Sequence, residues 1–417
     1  MPNITPDIEA FARIKVLGVG GSGGNAVNHM IAHKVRGVDF IAINTDSQDL
    51  HRSLAKKRVH IGKNITRGLG TGMNSDLGRR AVEETRDEIQ EIIKGADMVF
   101  VTCGLGGGTG SGASPMVARV AKELGCLTVA VVTKPFYFEG RQRARIAEVG
   151  LEELRKEVDA IIIIPNDRLL SAIDKATTVK NAFSMCDEIL RHAVEGISDL
   201  ITTPGIINID FADIRTVMEN AGPALMGIGT ATGENRAVEA AKAAINSPLL
   251  DVSITGSKGV LFSIAGGEDL TMFEIQDAAK VITESIDPEA KIIFGTVRDD
   301  KLKKNEVKIT VIATGFPEGS ATPLKVGGAS SMFGNSNSGL SGGMSESTLA
   351  SFNKSSDKEK GKIHHAPLES KQAANSSGSV EKVIDVKKPA PTPAAKPVED
   401  NDDWGAVPAF LRRSRLK

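Results

Sequence analysis

The sequence predicts an α/β fold: a doubly wound parallel sheet, a long central helix and a second α/β domain. Three observations predict it. Continuous apolar runs of strand length alternate with helical periodicity up to Phe316. Two of those runs end in glycine-rich stretches that open straight into amphipathic segments. One segment, Thr178–Thr203, is much longer than the other helical candidates.

Ile14–Val19 (IKVLGV) is apolar throughout and ends in glycines, which suits a strand covered on both faces. A helix is expected over Asn25–Lys34 and a strand over Asp39–Asn44. Ser75–Lys94 has helical period, with Asn74 or Ser75 as its cap. Met98–Cys103, Leu127–Thr133 and Ala160–Pro165 are further strands, with helical segments between them. Along Thr178–Thr203 the residues Val179, Phe183, Cys186, Leu190, Val194 and Ile197 fall on one broad apolar face. Thr203-Pro204-Gly205 ends that helix. Strands at Pro223–Ala231, Gly259–Ala265, Lys291–Val297 and Val307–Ala313, with helices at Asn235–Ile245 and Thr271–Ile286, make the second α/β domain.

From Pro317 the periodicity stops. Gly/Ser-rich, charged and Pro/Ala-rich stretches follow, which cannot bury enough apolar surface to offset chain entropy. They read as a disordered linker. The end of the chain, DNDDWGAVPAFLRRSRLK, combines acids, a compact apolar cluster and a basic end, as a docking peptide does. The expected divisions are an extension at 1–12, a nucleotide domain at 13–177, the central helix at 178–203, a C-terminal domain at 204–316, the linker at 317–400 and the peptide at 401–417.

Composition excludes several classes. Charged residues are 25% and net charge is −1, so no electrostatically driven binder of nucleic acid or of a membrane surface is expected. Cys103, Cys126 and Cys186 are isolated thiols whose spacing fits neither a zinc site nor a disulfide framework, as expected of a reducing cytoplasm. MPNITPDIEA carries acids and no long apolar segment, so no signal peptide is expected. AIIIIP at Ala160–Pro165 is too short to span a bilayer. With aromatics at 4%, the core has to be aliphatic.

The chemistry concentrates in glycine loops. GVGGSGGNAV (Gly18–Val27) and GLGGGTGSG (Gly104–Gly112) each join a strand to a helix, and RGLGTGMN (Arg67–Asn74) precedes another helix. At such places, free N–H groups with no side chains in the way make an anion site. Thr109 and Ser111 add hydroxyls. Three such loops could wrap a polyphosphate. Gly18-x-Gly20-x-x-Gly23 alone also fits a dinucleotide fold with Asp46 on the ribose, hence an NAD(P)-dependent oxidoreductase as the alternative. That reading leaves the second loop without a role. No GxxxxGK[ST] is present, which excludes a P-loop NTPase.

GGGTGSG, together with GVGGSGGNAV, NTD at Asn44–Asp46, PFYFEGRQR at Pro135–Arg143, NIDFADI at Asn208–Ile214 and the tail VPAFLRR, resembles the tubulin/FtsZ family, and the bacterial cell-division branch in particular. The linker is the unmatched part. The resemblance implies a polymerising GTPase of the division (Z) ring, cytoplasmic and at mid-cell, using GTP and Mg²⁺. It implies that Gly21, Ser22, Gly23, Gly24 and Asn25, with Gly107, Gly108, Thr109 and Gly110, hold the phosphates. Gly70, Thr71 and Gly72 would close over the γ-phosphate. Glu139 and Arg143 would contact the ribose and phosphate side; by themselves they read as a solvated pair at a helix start. Asn166 would join the nucleotide site, Phe183 would lie against guanine, and Asp187 would accept from its two adjacent donors.

The resemblance also implies that Asn208, Asp210 and Asp213 act on the GTP of the next subunit in a head-to-tail filament. By themselves, Asp210 and Asp213 read as a helix cap and a first-turn acid. A carboxylate is a weak base at neutral pH, so these acids would chiefly orient and polarise water. Val407, Pro408, Phe410, Leu411, Arg412 and Arg413 would bind membrane-tethering and regulatory division proteins. No side-chain metal ligand is assigned, and neither nucleic-acid binding nor direct membrane insertion is expected. Ser22 stands where the family more often has glycine, and would be strained if that position needs positive φ.

Overall fold

Apolar runs become buried strands, and the glycine stretches become helix starts. The structure is a computed structural model that describes residues 12–316, apart from 173–176, 204, 248–253, 255, 268, 300, 301 and 304. The linker and the tail peptide, with Val407, Pro408, Phe410, Leu411, Arg412 and Arg413, lie outside the described residues.

The first part of the chain runs β1 (Ile14–Val19), α1 (Gly20–Ala32), β2 (Val38–Asn44), α2 (Ser47–His51), β3 (Lys57–His60), α3 (Lys63–Thr66), α4 (Ser75–Glu84), α5 (Arg86–Ile93), β4 (Met98–Gly104) and α6 (Gly108–Glu123). It continues through β5 (Leu127–Lys134), α7 (Arg141–Glu157), β6 (Ala160–Pro165), α8 (Asn166–Ala172) and the long α9 (Val179–Thr202). The rest is α10 (Phe211–Met218), β7 (Gly222–Thr232), α11 (Arg236–Ile245), β8 (Gly259–Gly266), α12 (Met272–Thr283), β9 (Lys291–Arg298) and β10 (Glu306–Thr314).

The strands form one sheet in the order β3-β2-β1-β4-β5-β6-β7-β10-β8-β9. Neighbours from β3 to β7 are parallel. β10 then runs antiparallel to both β7 and β8, and β9 is parallel to β8. The mixed α/β, doubly wound expectation holds. β7 belongs to both parts, pairing with β6 through Gly222–Ala224 and with β10 along most of its length.

Strand alternation builds a core on each face. Val16, Phe100, Val129 and Ile162 pack with α1 and the apolar stripe of α9. Leu17, Val99, Val101 and Val132 pack with residues of α4, α5, α6 and α7. A third cluster joins β8 and β10 to α11 and α12. The first cluster also takes in Leu261, Val297 and Ile312, so α9 shares its core with the C-terminal strands. No helix among the described residues is long and apolar enough to cross a membrane.

Three local differences from expectation have physical causes. α1 begins at Gly20 rather than Asn25, because the glycine run itself makes the first turn. Ser75–Lys94 is two helices: Asn74 caps the first, accepting from Asp76 N and Leu77 N, and Thr85 interrupts the pair. The Thr85 hydroxyl donates back to Ala81 O at 3.0 Å, a bond that bends helices. β3 (KRVH) was not expected, since among its residues only Val59 is buried.

A candidate nucleotide site at the strand ends

The strand order reverses between β1 and β4, which places a crevice at their C-terminal ends. A cavity of about 390 Å³ lies there. The β1–α1 turn contributes Gly20, Gly21, Ser22 and Asn25. The end of β2 contributes Asn44, Thr45 and Asp46, and the stretch before α4 contributes Leu69 to Met73. From the β4–α6 turn come Gly104, Leu105 and Gly107 to Gly110. Thr133, Pro135, Glu139, Arg143 and Asn166 form a further wall, and α9 closes the site with Phe183, Cys186, Asp187 and Leu190.

The loops are tied to one another by threonines. Thr109 Oγ1 lies 2.7 Å from Thr45 Oγ1 and 3.2 Å from Thr71 Oγ1, so three loops meet at one hydroxyl cluster. Gly108 has to be glycine: a Cβ there would sit 2.3 Å from Thr71 Oγ1 and 2.6 Å from Asn74 N. Ser111 is fully buried, and its hydroxyl accepts from Gly106 N at 2.8 Å. It shapes the loop and does not line the cavity.

Burial sets the electrostatics. Asp187, on the α9 wall, is pushed up to about 7 by loss of water. Burial also raises the Glu139 carboxyl, against the opposing pull of the Phe136 N–H and of Arg143. Glu139 Oε1 accepts from Phe136 N at 3.0 Å, and its Oε2 is 3.6 Å from Arg143 Nη1. This pair is withdrawn from solvent, with side chains 7% and 14% exposed. Asn166 is buried, and its Oδ1 has no hydrogen-bond partner. A buried acceptor in the wall of a cavity can be met by a ligand donor or by water. Phe183 packs edge-on against Phe136, with ring centroids 5.3 Å apart.

Most residues expected at the nucleotide come together here: Gly21, Ser22, Asn25, Gly70, Thr71, Gly72, Gly107, Gly108, Thr109, Gly110, Glu139, Arg143, Asn166, Phe183 and Asp187. Gly23 and Gly24 do not line the cavity. A Cβ on Gly23 would lie 2.4 Å from Thr102 O, so this glycine lets α1 approach β4. Gly24 borders a much smaller void behind the loop. Ser22 is not at positive φ, so the feared strain is absent.

Asn208, Asp210 and Asp213 lie outside the cavity and are all exposed. Asn208 Oδ1 accepts from Gly205 N at 2.7 Å, and Asp210 caps α10 through Ala212 N at 3.5 Å. Thr45, Thr133, Cys186 and Leu190 were not singled out. Thr45 and Thr133 sit at or just past strand C-termini, where ligands bind in such sheets. Cys186 and Leu190 follow Phe183 at helical spacing and so share its face.

Residues 13–174 match the GTPase domain of the tubulin/FtsZ family, and residues 222–317 match the FtsZ family C-terminal domain. The fold superposes on an empty FtsZ dimer from M. jannaschii with 45% identity and a TM-score of 0.70, covering 73% of this chain and 89% of that one. The chain belongs to the tubulin/FtsZ family. It shares its fold, at 21% identity and a TM-score of 0.64, with CetZ2 from Haloferax volcanii, a GTPγS-bound protofilament. CetZ1 from the same organism, a GDP-bound monomer, matches at 23% identity with a TM-score of 0.64. These two matches cover 73% of this chain and 94% and 95% of theirs. Membership in the tubulin/FtsZ family carries GTP binding and GTPase chemistry, and it lends no support to an oxidoreductase. The second glycine loop, idle in that alternative, lines the same cavity as the first.

Proposed function

We propose that the chain is a self-polymerising GTPase of the bacterial division ring, acting in the cytoplasm at mid-cell, whose active site is completed between subunits. The observation that carries this reading is a division of labour. The cavity gathers loops for phosphate and an acid for a base. Its acid on the β2 side, Asp46, already caps α2 by accepting from Gln48 N and Asp49 N. Three other polar residues, Asn208, Asp210 and Asp213, stand exposed elsewhere. Stacked head to tail, one subunit's α10 start would meet the next subunit's cavity, a contact that grows without closing. The solved M. jannaschii relative is a dimer, in keeping with self-association.

In this mechanism the β1–α1 and β4–α6 loops bind the phosphates through backbone N–H groups, and the Gly70–Gly72 stretch covers the γ-phosphate. Asp187 in its ionised form accepts from the two adjacent donors of guanine, while Phe183 packs on the base. The neighbour's Asp210 and Asp213 orient the attacking water, with Asn208 beside them. The oxygen-rich lining of Thr45, Asp46, Thr71 and Thr109 suits Mg²⁺, which supplies charge neutralisation on the phosphates when bound. The tail residues Val407 to Arg413 bind adaptor and regulatory division proteins.

GTP-triggered light scattering with parallel phosphate release tests the reading. Turnover per subunit should rise steeply with protein concentration; a flat response would rule out a shared site. Deleting Trp404–Lys417 should spare GTPase activity and abolish adaptor pull-down.

A further inference from the structure

Away from the nucleotide cavity, where α1 packs against α9, three of the chain's seven histidines gather around one carboxylate. His29 and His33 are one helical turn apart, with ring centroids 4.1 Å apart. Glu188 and His192 form a matching pair on α9, with His192 Nε2 3.1 Å from Glu188 Oε1. Across the two helices, His29 Nε2 is 3.6 Å from Glu188 Oε2. One ligand atom from each of His29, His33 and Glu188 lies within 4.8 Å of the others. None of the three lines the nucleotide cavity.

The ring orientations suit a ligand set. His33 Nδ1 is 2.9 Å from the carbonyl oxygen of His29. A carbonyl only accepts, so Nδ1 is the donor in this bond and Nε2 is the ring nitrogen left to coordinate. Histidines that bind metals are oriented in this way, through a backbone carbonyl or a carboxylate. His29 Nδ1 is buried without a hydrogen-bond partner. Glu188 also accepts from Arg191 Nε at 3.1 Å. Arg191 also pairs with Glu195, so its charge is shared between two acids.

The 3.6 Å between His29 and Glu188 is too long for a hydrogen bond. It is close to the separation of about 3.4 Å between two ligands of one tetrahedral ion with bonds of about 2.1 Å. We propose that His29, His33 and Glu188 bind a divalent transition metal of the Zn²⁺ class, which clasps the C-terminal end of α1 to α9. Two imidazoles and a carboxylate suit such an ion, with water in the remaining position. α1 starts in the first glycine loop and α9 carries Phe183 and Asp187. The ion would therefore tie together two walls of the nucleotide cavity from outside it.

The test needs no nucleotide, so it stands apart from the GTP reading. Zn²⁺ alone is titrated into the full chain by calorimetry and by thermal unfolding, and Co²⁺ reports the coordination through its visible spectrum. One ion per chain should bind and raise Tm. His33→Ala, an exposed position at a helix end, should weaken binding roughly tenfold or more while leaving metal-free Tm and GTP binding unchanged. His33→Asp, which restores a ligand, should recover part of the affinity. The double variant His364→Ala/His365→Ala should bind as the parent does. Absence of binding in the parent, binding undiminished in His33→Ala, or binding lost with the 364–365 pair overturns the proposal.

Discussion

The cavity at the strand ends and the stretch Asn208–Ile214 both carry acids, and they treat them in opposite ways. In the cavity, Asp187 and Glu139 are withdrawn from water, and burial raises both carboxyls. Asn166 holds a buried oxygen with no partner. In the 208–214 stretch, Asn208, Asp210 and Asp213 are exposed, while Ile209 and Ile214 are buried. The apolar residues hold the backbone, and the polar ones stay hydrated. A pocket that closes around its own ligand carries desolvation within the monomer. A half-site for a neighbour's ligand defers that cost until contact, and so resembles ordinary helix capping in one chain.

The largest effect should come from breaking the cavity. On the proposed reading Asp187→Ala would remove two charge-assisted hydrogen bonds to guanine, so GTP affinity should fall by about 3–4 kcal/mol, measured by calorimetry. Unchanged affinity would mean that Asp187 does not read the base. Asp213→Ala should behave in the opposite sense, with GTP binding, Tm and polymerisation kept and phosphate release reduced about a hundredfold or more. If both variants lose binding alike, the contrast between the two regions fails.

Two neighbouring glycines sharpen the comparison inside the cavity. Gly108→Ala would drive its Cβ into Thr71 and Asn74, so the loop before α4 must shift. A loss of about 2 kcal/mol in stability is expected, seen as a lower Tm. Gly107→Ala meets nothing within 4 Å and its φ is −92°, so Tm should hold. If the phosphates approach the Gly107 backbone, its GTP affinity alone should drop. Equal Tm losses in both variants would show that the two positions are packing glycines alike.

These contrasts follow what the sequence could display. Strands covered on both faces are continuous apolar runs, and IKVLGV or LTVAVVT is legible without any partner. A polar edge strand such as KRVH is not, because only Val59 among its residues is buried. The glycine loops announce phosphate through their place at strand ends. The third-dimensional partners do not: the Thr45–Thr109–Thr71 cluster joins residues from three separate loops. Asp187 is marked in the sequence only by the family resemblance, and its proton affinity depends on the walls around it. The exposed acids at 208–214 are the hardest case. Their local bonds are those of a cap, they lie between the two stretches that the family models match, and only the proposed contact with a second copy of the chain would give them more.

The smallest effect, and the one that isolates burial itself, is a pH dependence. In the folded, nucleotide-free chain Asp187 titrates near about 7, against an ordinary value of 3.8. The folded state thus binds the proton more tightly than the unfolded chain. Stability should fall as pH rises through that window, by about 1–2 kcal/mol after allowing for solvent that reaches the cavity. Asp187→Asn removes the charge and should flatten this slope, making the nucleotide-free protein more stable than the parent above pH 7. On the proposed reading GTP would reverse the preference, since only the ionised carboxylate can accept from both adjacent guanine donors at once. Binding at pH 6 should therefore release a proton, detected as a dependence of calorimetric heat on buffer ionisation enthalpy, and GTP affinity should weaken as pH falls. A proton release that persists in Asp187→Asn would place the buried charge elsewhere in the cavity, with Glu139 the next group to replace.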